Sequence, residues 1–204
     1  MPRLSKDREL PEAIKNIRLG AALQDCGNLP MADAFDKSDA GSLFVYDDNE
    51  LGHTDWTDTK PTFEDKCFVA ENPSRSTIAL LPLDGCIITG KKVVEGGVCD
   101  GMLLTEKEMC LIEFKTNVAS PNYKTIIQRA NEAIAQLWHT YDGIVRPRCI
   151  RFRNIEGMLA IEFYVVFDKA LEVTGINSEF MDLQNQFLED NKFVLYFANK
   201  KIFD

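Results

Sequence analysis

Hydrophobic and polar positions along this chain change period several times. Apolar residues recur at helical spacing early on (Ile14, Ile17, Ala21), and Pro11 stands near a first position, so a helix is predicted over residues 10–23. A second, short helix is predicted after Asn28, with Pro30 at its start. Strand-like runs follow at 42–46 (SLFVY), 68–70, 77–81 and 85–89, broken by Pro73 and Pro82. The stretch DDNELGHTDWTDTKP reads as a solvated acidic loop. Two strands, 93–104 and 109–115, flank the turn TEKE. A long helix is predicted from a Ser120 cap, with Pro121 first, to Tyr141. Its apolar stripe is Ile126/Ile127, Ala130, Ala133/Ile134, Leu137/Trp138 and Tyr141, and Asp142-Gly143 ends it. Strands over 149–155 and 158–167 around Glu156-Gly157 come next, then a helix over 177–190 and a strand over 192–202.

That order predicts one mixed α/β domain with a largely antiparallel start. Within it, residues 1–72 form an N-terminal helical and loop extension, 73–167 the core, and 168–204 a C-terminal helix–strand addition. A hydrophobic share of 45% in 204 residues supplies a core of ordinary size. No apolar run approaches the roughly 18 residues that cross a bilayer, so no membrane partner is expected. The opening MPRLSKDRELPEA lacks the apolar segment of a secretory signal, which points to the cytoplasm. Six cysteines without a C-x-x-C pair read as buried thiols rather than disulfides or a zinc site.

Charge alters this picture in one place. The net charge of −9 opposes bulk attraction to nucleic acid. Its distribution is uneven: −7 over residues 1–72, +2 over 73–156 and −4 over 157–204. Only the middle third is suited to a phosphate backbone.

That third contains GGVCDGMLLTEKEMCLIEFKTN, where Asp100, Glu113 and Lys115 interrupt otherwise apolar strands. A turn centred on Glu106-Lys107 pairs residues whose numbers sum to 213, which sets Asp100 opposite Glu113. Period two places Lys115, Leu111, Met102 and Leu104 on the face of Glu113, with Cys99, Leu103, Cys110, Ile112 and Phe114 on the other. Carboxylates directly opposite one another repel, and burial sharpens the conflict. A divalent cation resolves it: Mg²⁺ takes one or two carboxylates, keeps several waters, and makes one of them a nucleophile. A structural salt bridge between Lys115 and Glu113, with Asp100 in solvent at a strand end, is the alternative.

VCDGMLL followed by LIEFK resembles the PD-(D/E)xK, or restriction-endonuclease-like, nuclease superfamily. Asp100 takes the place of the first acid and Glu113-Phe114-Lys115 that of the E-x-K; Cys99 replaces the usual proline. The resemblance covers residues 77–167. It implies a mixed central sheet with an αβββαβ-type core and helices on both faces, here extended by a C-terminal helix and strand. It further implies Mg²⁺-dependent cleavage of phosphodiesters, with DNA as partner and Mn²⁺ as substitute metal. Asp100, Glu113 and the Phe114 carbonyl would bind the ion, Lys115 would position water, and Gln136 from the following helix would support it. Gln128, Glu132 and His139 share that helix side, which a solvent-facing reading accommodates equally. A further acid is expected from Glu9, Glu12, Asp84 or Glu95.

Two features stay open. Arg146, Arg148, Arg151 and Arg153 in RPRCIRFRN either track phosphates from a strand face or pair with Glu162 and neighbouring acids. The aromatic run KFVLYFANKKIF, placed at a sheet edge, would pair across a homodimer. The second functional reading is a catalytically inactive nuclease-like fold that serves as a nucleic-acid or protein binding or assembly module.

Overall fold

The computed structural model describes residues 9–27, 31–118, 122–171 and 176–204. The expectations for a helix starting at Pro30 and for the Ser120–Pro121 cap lie outside the described residues. The first described elements are helices α1 (Glu12–Asn16) and α2 (Leu19–Ala22). The single helix predicted over 10–23 is therefore two pieces, broken at Arg18, which sits at φ +57°. The break lets Ile14, Ile17 and Leu19 all turn inward.

Among the described residues there are ten strands: β1 (Asp36–Ser38), β2 (Ser42–Asp48), β3 (His53–Thr57), β4 (Phe68–Glu71), β5 (Ile78–Pro82), β6 (Gly101–Leu104), β7 (Glu108–Lys115), β8 (Ala160–Phe167), β9 (Val194–Phe197) and β10 (Lys200–Ile202). Between β7 and β8 lie α3 (Tyr123–Trp138) and α4 (Arg146–Cys149), and α5 (Ile176–Asn191) precedes β9. The fold is mixed α/β. One sheet has the order β1-β5-β6-β7-β8-β9, antiparallel as far as β7 and parallel from β7 to β9. The other has the order β10-β4-β2-β3.

Alternation explains how the first sheet is covered. Leu81, Met102, Leu104, Leu111, Phe163 and Val165 face α3, whose Ile126, Ala130, Ala133 and Leu137 recur at helical spacing. Leu80, Leu103, Cys110, Ile112, Phe114 and Val166 face the second sheet, through Leu43, Val45, Phe68 and Ala70. Helices thus cover one face and a sheet the other, which corrects the expectation of helices on both. Residues 1–72 are likewise no mere helical and loop extension: they supply β1 and three strands of the second sheet. All six cysteines are free and buried.

Several predicted elements change. The acidic stretch after β2 folds back as the hairpin partner β3, with Asp47 paired to Thr54. Residues 85–89 form a turn led by Gly85 at φ +69° instead of a strand. Gly96 and Gly97, at φ +108° and +86°, end any strand before β6, so 93–100 is irregular. Asn122 caps α3, its Oδ1 accepting from the N–H groups of Lys124 and Thr125. Asp142-Gly143 does not end that helix. The chain continues as a π-helical turn (His139–Val145) into α4, because Tyr141, Ile144, Val145 and Cys149 are all buried. No strand exists over 149–155, and 155–157 is a 3₁₀ turn leading into β8. The C-terminal strand splits after Phe197, and Asn199 ties the crossing to Phe167 by a 2.6 Å bond. Among the described residues no helix is long and apolar enough to cross a membrane.

Candidate functional site

The β6–β7 hairpin adopts the predicted register: Gly101 pairs with Ile112 and Leu104 with Met109. Asp100 and Glu113 therefore stand opposite each other just beyond the last formal pair. Glu113 is 2% exposed. Its Oε2 accepts from the Asp100 backbone N–H at 3.2 Å, while Asp100 Oδ2 accepts from the Phe114 N–H at 2.6 Å. The two acids are interlocked through the backbone of the opposite strand. Lys115, two residues on, donates from Nζ to Glu113 Oε1 at 2.6 Å and to Gln136 Oε1 at 2.9 Å. Gln136 is thus on the sheet side of α3. Gln128 and Glu132 are not: on the outside, Glu132 accepts from both Gln128 and Arg129.

Helix α3 also fixes the approach to Asp100. Gln136 Nε2 donates to the Val98 carbonyl at 3.4 Å, His139 Nδ1 meets the Gly97 carbonyl at 2.7 Å, and the Cys99 N–H donates to Thr140 Oγ1 at 2.8 Å. Thr140 Oγ1 donates in turn to the Gln136 carbonyl. Three side chains of one helix turn hold three consecutive residues before the first acid. Cys99 consequently packs on the helix side rather than on the opposite face.

Electrostatics mark this cluster. Burial first, then the field of Asp47 and Asp84, pushes the Asp100 carboxyl up to about 7 against the lowering bond from Phe114. Burial and the neighbouring Asp100 push Glu113 up to about 8, although Lys115 opposes. Asp47 and Asp84 are both exposed and near enough for their charge to act on Asp100. Although Asp47 as a whole residue is exposed, desolvation of its carboxyl by the neighbouring protein raises it as well, with Asp48 and Asp84 adding to the effect and Lys115 and His53 opposing it. Asp84 was among the candidate further acids. Asp47 was not, though Leu43, Val45 and Asp47 share a face by period two and so direct it to the inter-sheet side.

The other candidates lie elsewhere. Glu9 and Glu12 both accept from Lys15 at 2.9 Å on the α1 surface, and Glu95 is exposed. The arginines do not form a strand face. Arg146 pairs with Asp142 and Glu156, Arg148 bonds to the Ile144 carbonyl, and Arg151 and Arg153 are exposed in a turn. That turn precedes Ala160, which pairs with Glu108 at the far end of β7 from Lys115. Glu162 pairs with Lys201, not with an arginine.

Compared with protein-family models, curated proteins and solved structures, the chain matches none. The reading of the site therefore rests on its own chemistry.

The donor set suits a hard divalent cation. Asp100 and Glu113 offer oxygen ligands, and four carboxylates share the region with one lysine. Among the described residues no three histidine, cysteine or acidic side chains converge as a ready cage. The arrangement is of the kind Mg²⁺ accepts, with one or two carboxylates and the remaining positions left to water.

Proposed function

We propose that this chain is a Mg²⁺-dependent nuclease of the PD-(D/E)xK type, hydrolysing phosphodiester bonds in DNA, with Mn²⁺ as a substitute metal. The observation that carries the reading is the meeting of Asp100, Glu113, Lys115 and Gln136 from three elements in one largely buried cluster. The order β5-β6-β7, then α3, then parallel β8 supports a restriction-endonuclease-like core.

Asp100, Glu113 and the Phe114 carbonyl would hold the ion. When bound, it would supply positive charge toward the phosphate and lower the pKa of a coordinated water. Lys115 has three donors, two of them taken by Glu113 and Gln136; the third is left for the attacking water or the scissile phosphate. Gln136 keeps that ammonium in place. The nearby Asp47 and Asp84 add negative charge that favours cation entry. β9 is an edge strand, which supports pairing of two copies there as part of the same proposal.

One observation favours the second reading, an inactive binding or assembly module. Both oxygens of Glu113 and one of Asp100 are already satisfied inside the protein. Calorimetric titration with Mn²⁺ separates the two. A nuclease takes up the ion, and Asp100→Asn abolishes the heat; a module whose cluster is structural gives no heat in either protein. Cleavage of mixed single- and double-stranded DNA completes the test.

A further inference from the structure

Between α4 and β8 the chain leaves three large apolar side chains in solvent: Ile150 (62% exposed), Phe152 (46%) and Met158 (45%). Arg151 and Arg153 are interleaved with them in sequence and are exposed as well. Eight large apolar side chains are exposed among the described residues, so three within one short turn is a concentration. We propose that this turn binds single-stranded nucleic acid, with its arginines on phosphates and Phe152 stacked on an unpaired base. The inference goes beyond the nuclease reading and holds equally for a catalytically inactive fold.

Charge is the first observation. Residues 142–158 carry four arginines and two acids, a balance of +2 in a chain of net −9. Both acids are met by Arg146, Asp142 at 2.8 Å and Glu156 at 2.7 Å, and Glu156 also accepts from the Tyr141 hydroxyl. Arg148 donates to the Ile144 carbonyl, which leaves its charge without a counter-ion. Arg151 and Arg153 make no ion pair and no side-chain hydrogen bond among the described residues. An anion is the partner these cations lack.

The second is position. The turn leads into β8 at Ala160, which pairs with Glu108, whereas Phe167 at the other end pairs with Lys115. Those ends of β7 are about 23 Å apart at ~3.3 Å per residue, against a Debye length of ~8 Å at physiological salt. The carboxylates around Lys115 therefore do not cancel the field of the arginines, and local charge governs the turn.

The third is a fixed mount. The Ile150 N–H donates to the Arg146 carbonyl at 3.0 Å, and the N–H groups of Phe152 and Arg153 both donate to the Cys149 carbonyl at 2.8 Å. Cys149, Ile155 and Leu159 are buried and anchor the turn on either side. Its backbone is set before a ligand arrives, which lowers the ordering cost of binding.

Interleaving selects the class of anion. A bilayer holds its charge and its hydrocarbon in separate layers, whereas basic and apolar residues are immediate neighbours along Ile150-Arg151-Phe152-Arg153. A single strand offers phosphates and open base faces side by side, which arginine and phenylalanine satisfy together. A duplex keeps its base faces in the stack and leaves Phe152 unused.

The test uses the intact chain in chelator, so that no phosphodiester is cut. Labelled oligodeoxythymidylate and oligouridylate are titrated by fluorescence anisotropy, beside a duplex of equal length and vesicles of phosphatidylserine and phosphatidylcholine. The expected result is saturable binding of at least one strand, the tighter of the two telling DNA from RNA, with weaker binding of duplex. Arg151→Gln/Arg153→Gln flattens the slope of log affinity against log salt by about 1.4, two phosphate contacts at ~0.7 each. Phe152→Ala weakens binding at least about fivefold and Phe152→Tyr retains it, as expected for one stacked base. Each variant changes an exposed side chain and melts as wild type does.

Absence of strand binding at low salt overturns the proposal, as does an unchanged salt slope in the arginine variant or an unchanged affinity in Phe152→Ala. Vesicle binding without strand binding overturns it in favour of a membrane surface. Strand binding with these dependences, in a protein that cuts nothing when Mg²⁺ is added, upholds the turn and removes the enzyme reading. Cleavage by a protein whose strand affinity ignores all three side chains removes the turn alone.

Discussion

The Lys115 ammonium donates to Gln136 Oε1 at 2.9 Å while it also pairs with Glu113 at 2.6 Å. Helix α3 and strand β7 are thus joined through the Lys115 ammonium, beside the acids Glu113 and Asp100. Gln136→Leu removes the acceptor and leaves Lys115 with Glu113 only. We expect cleavage to fall about 10- to 100-fold, with stability changed by about 1 kcal/mol or less, the worth of one partly buried bond. Gln136→Glu, which keeps an acceptor, retains more activity than the leucine variant in the same steady-state assay.

The acid pair makes the metal-free protein sensitive to alkali. Burial raises Asp100 to about 7 and Glu113 to about 8, above their unfolded values near 4. The folded state therefore binds more protons than the unfolded one between about pH 4 and 8, so these two groups contribute less stability as pH rises through that window. Melting curves of wild type and the Asp100→Asn/Glu113→Gln double variant, without metal, measure this. The variant gains on wild type from pH 5 to 8, and Mg²⁺ restores wild type but not the variant.

Gly97 sits at φ +86°, and an added Cβ would meet Gln136 Cγ at 2.7 Å. Gly97→Ala combines that strained backbone with a displaced Gln136. The expected cost is about 1–3 kcal/mol in urea unfolding, the range for a non-glycine residue held at such angles. Activity falls further than the stability loss accounts for, because the residues leading to Asp100 move with Gly97.

A second buried cation holds the C-terminus. Lys201, with its side chain 8% exposed, pairs with Glu108 at 2.8 Å and Glu162 at 2.6 Å, so β10 of one sheet is tied to β7 and β8 of the other. Lys201→Met leaves two carboxylates in a largely buried space. We expect a loss of about 3–5 kcal/mol, read by urea unfolding and partly recovered by adding Glu162→Gln.

The hairpin was legible because its constraint is local. A turn fixes register, and register fixes that Asp100 faces Glu113 across the hairpin. Gln136 was legible for a similar reason: helical period carries it round to the side it shares with His139. The second sheet was not. HTDWT contains three strand formers (Thr54, Trp56 and Thr57) but no aliphatic residue and four polar ones, so it lacks an apolar–polar alternation and shows as a strand only through its pairing with β2. Ending β2 at Tyr46 hid Asp47, and missing β3 hid Thr54, with which Asp47 pairs. The arginine run misled through its alternation, R-x-R-C-I-R-F-R, which imitates a strand. Tyr141, Ile144, Val145 and Cys149 carried the better signal, a helical stripe continuing past Asp142-Gly143, and burial of those four outweighs the glycine.

The most direct measurement is cleavage of mixed single- and double-stranded DNA by wild type, Asp100→Ala and Lys115→Ala, with Mg²⁺, with Mn²⁺ and with chelator. The predicted result is cleavage that requires either metal and is lost in both variants while each still melts cooperatively. Absence of cleavage by folded wild type in every condition, or full activity in Lys115→Ala, contradicts the account.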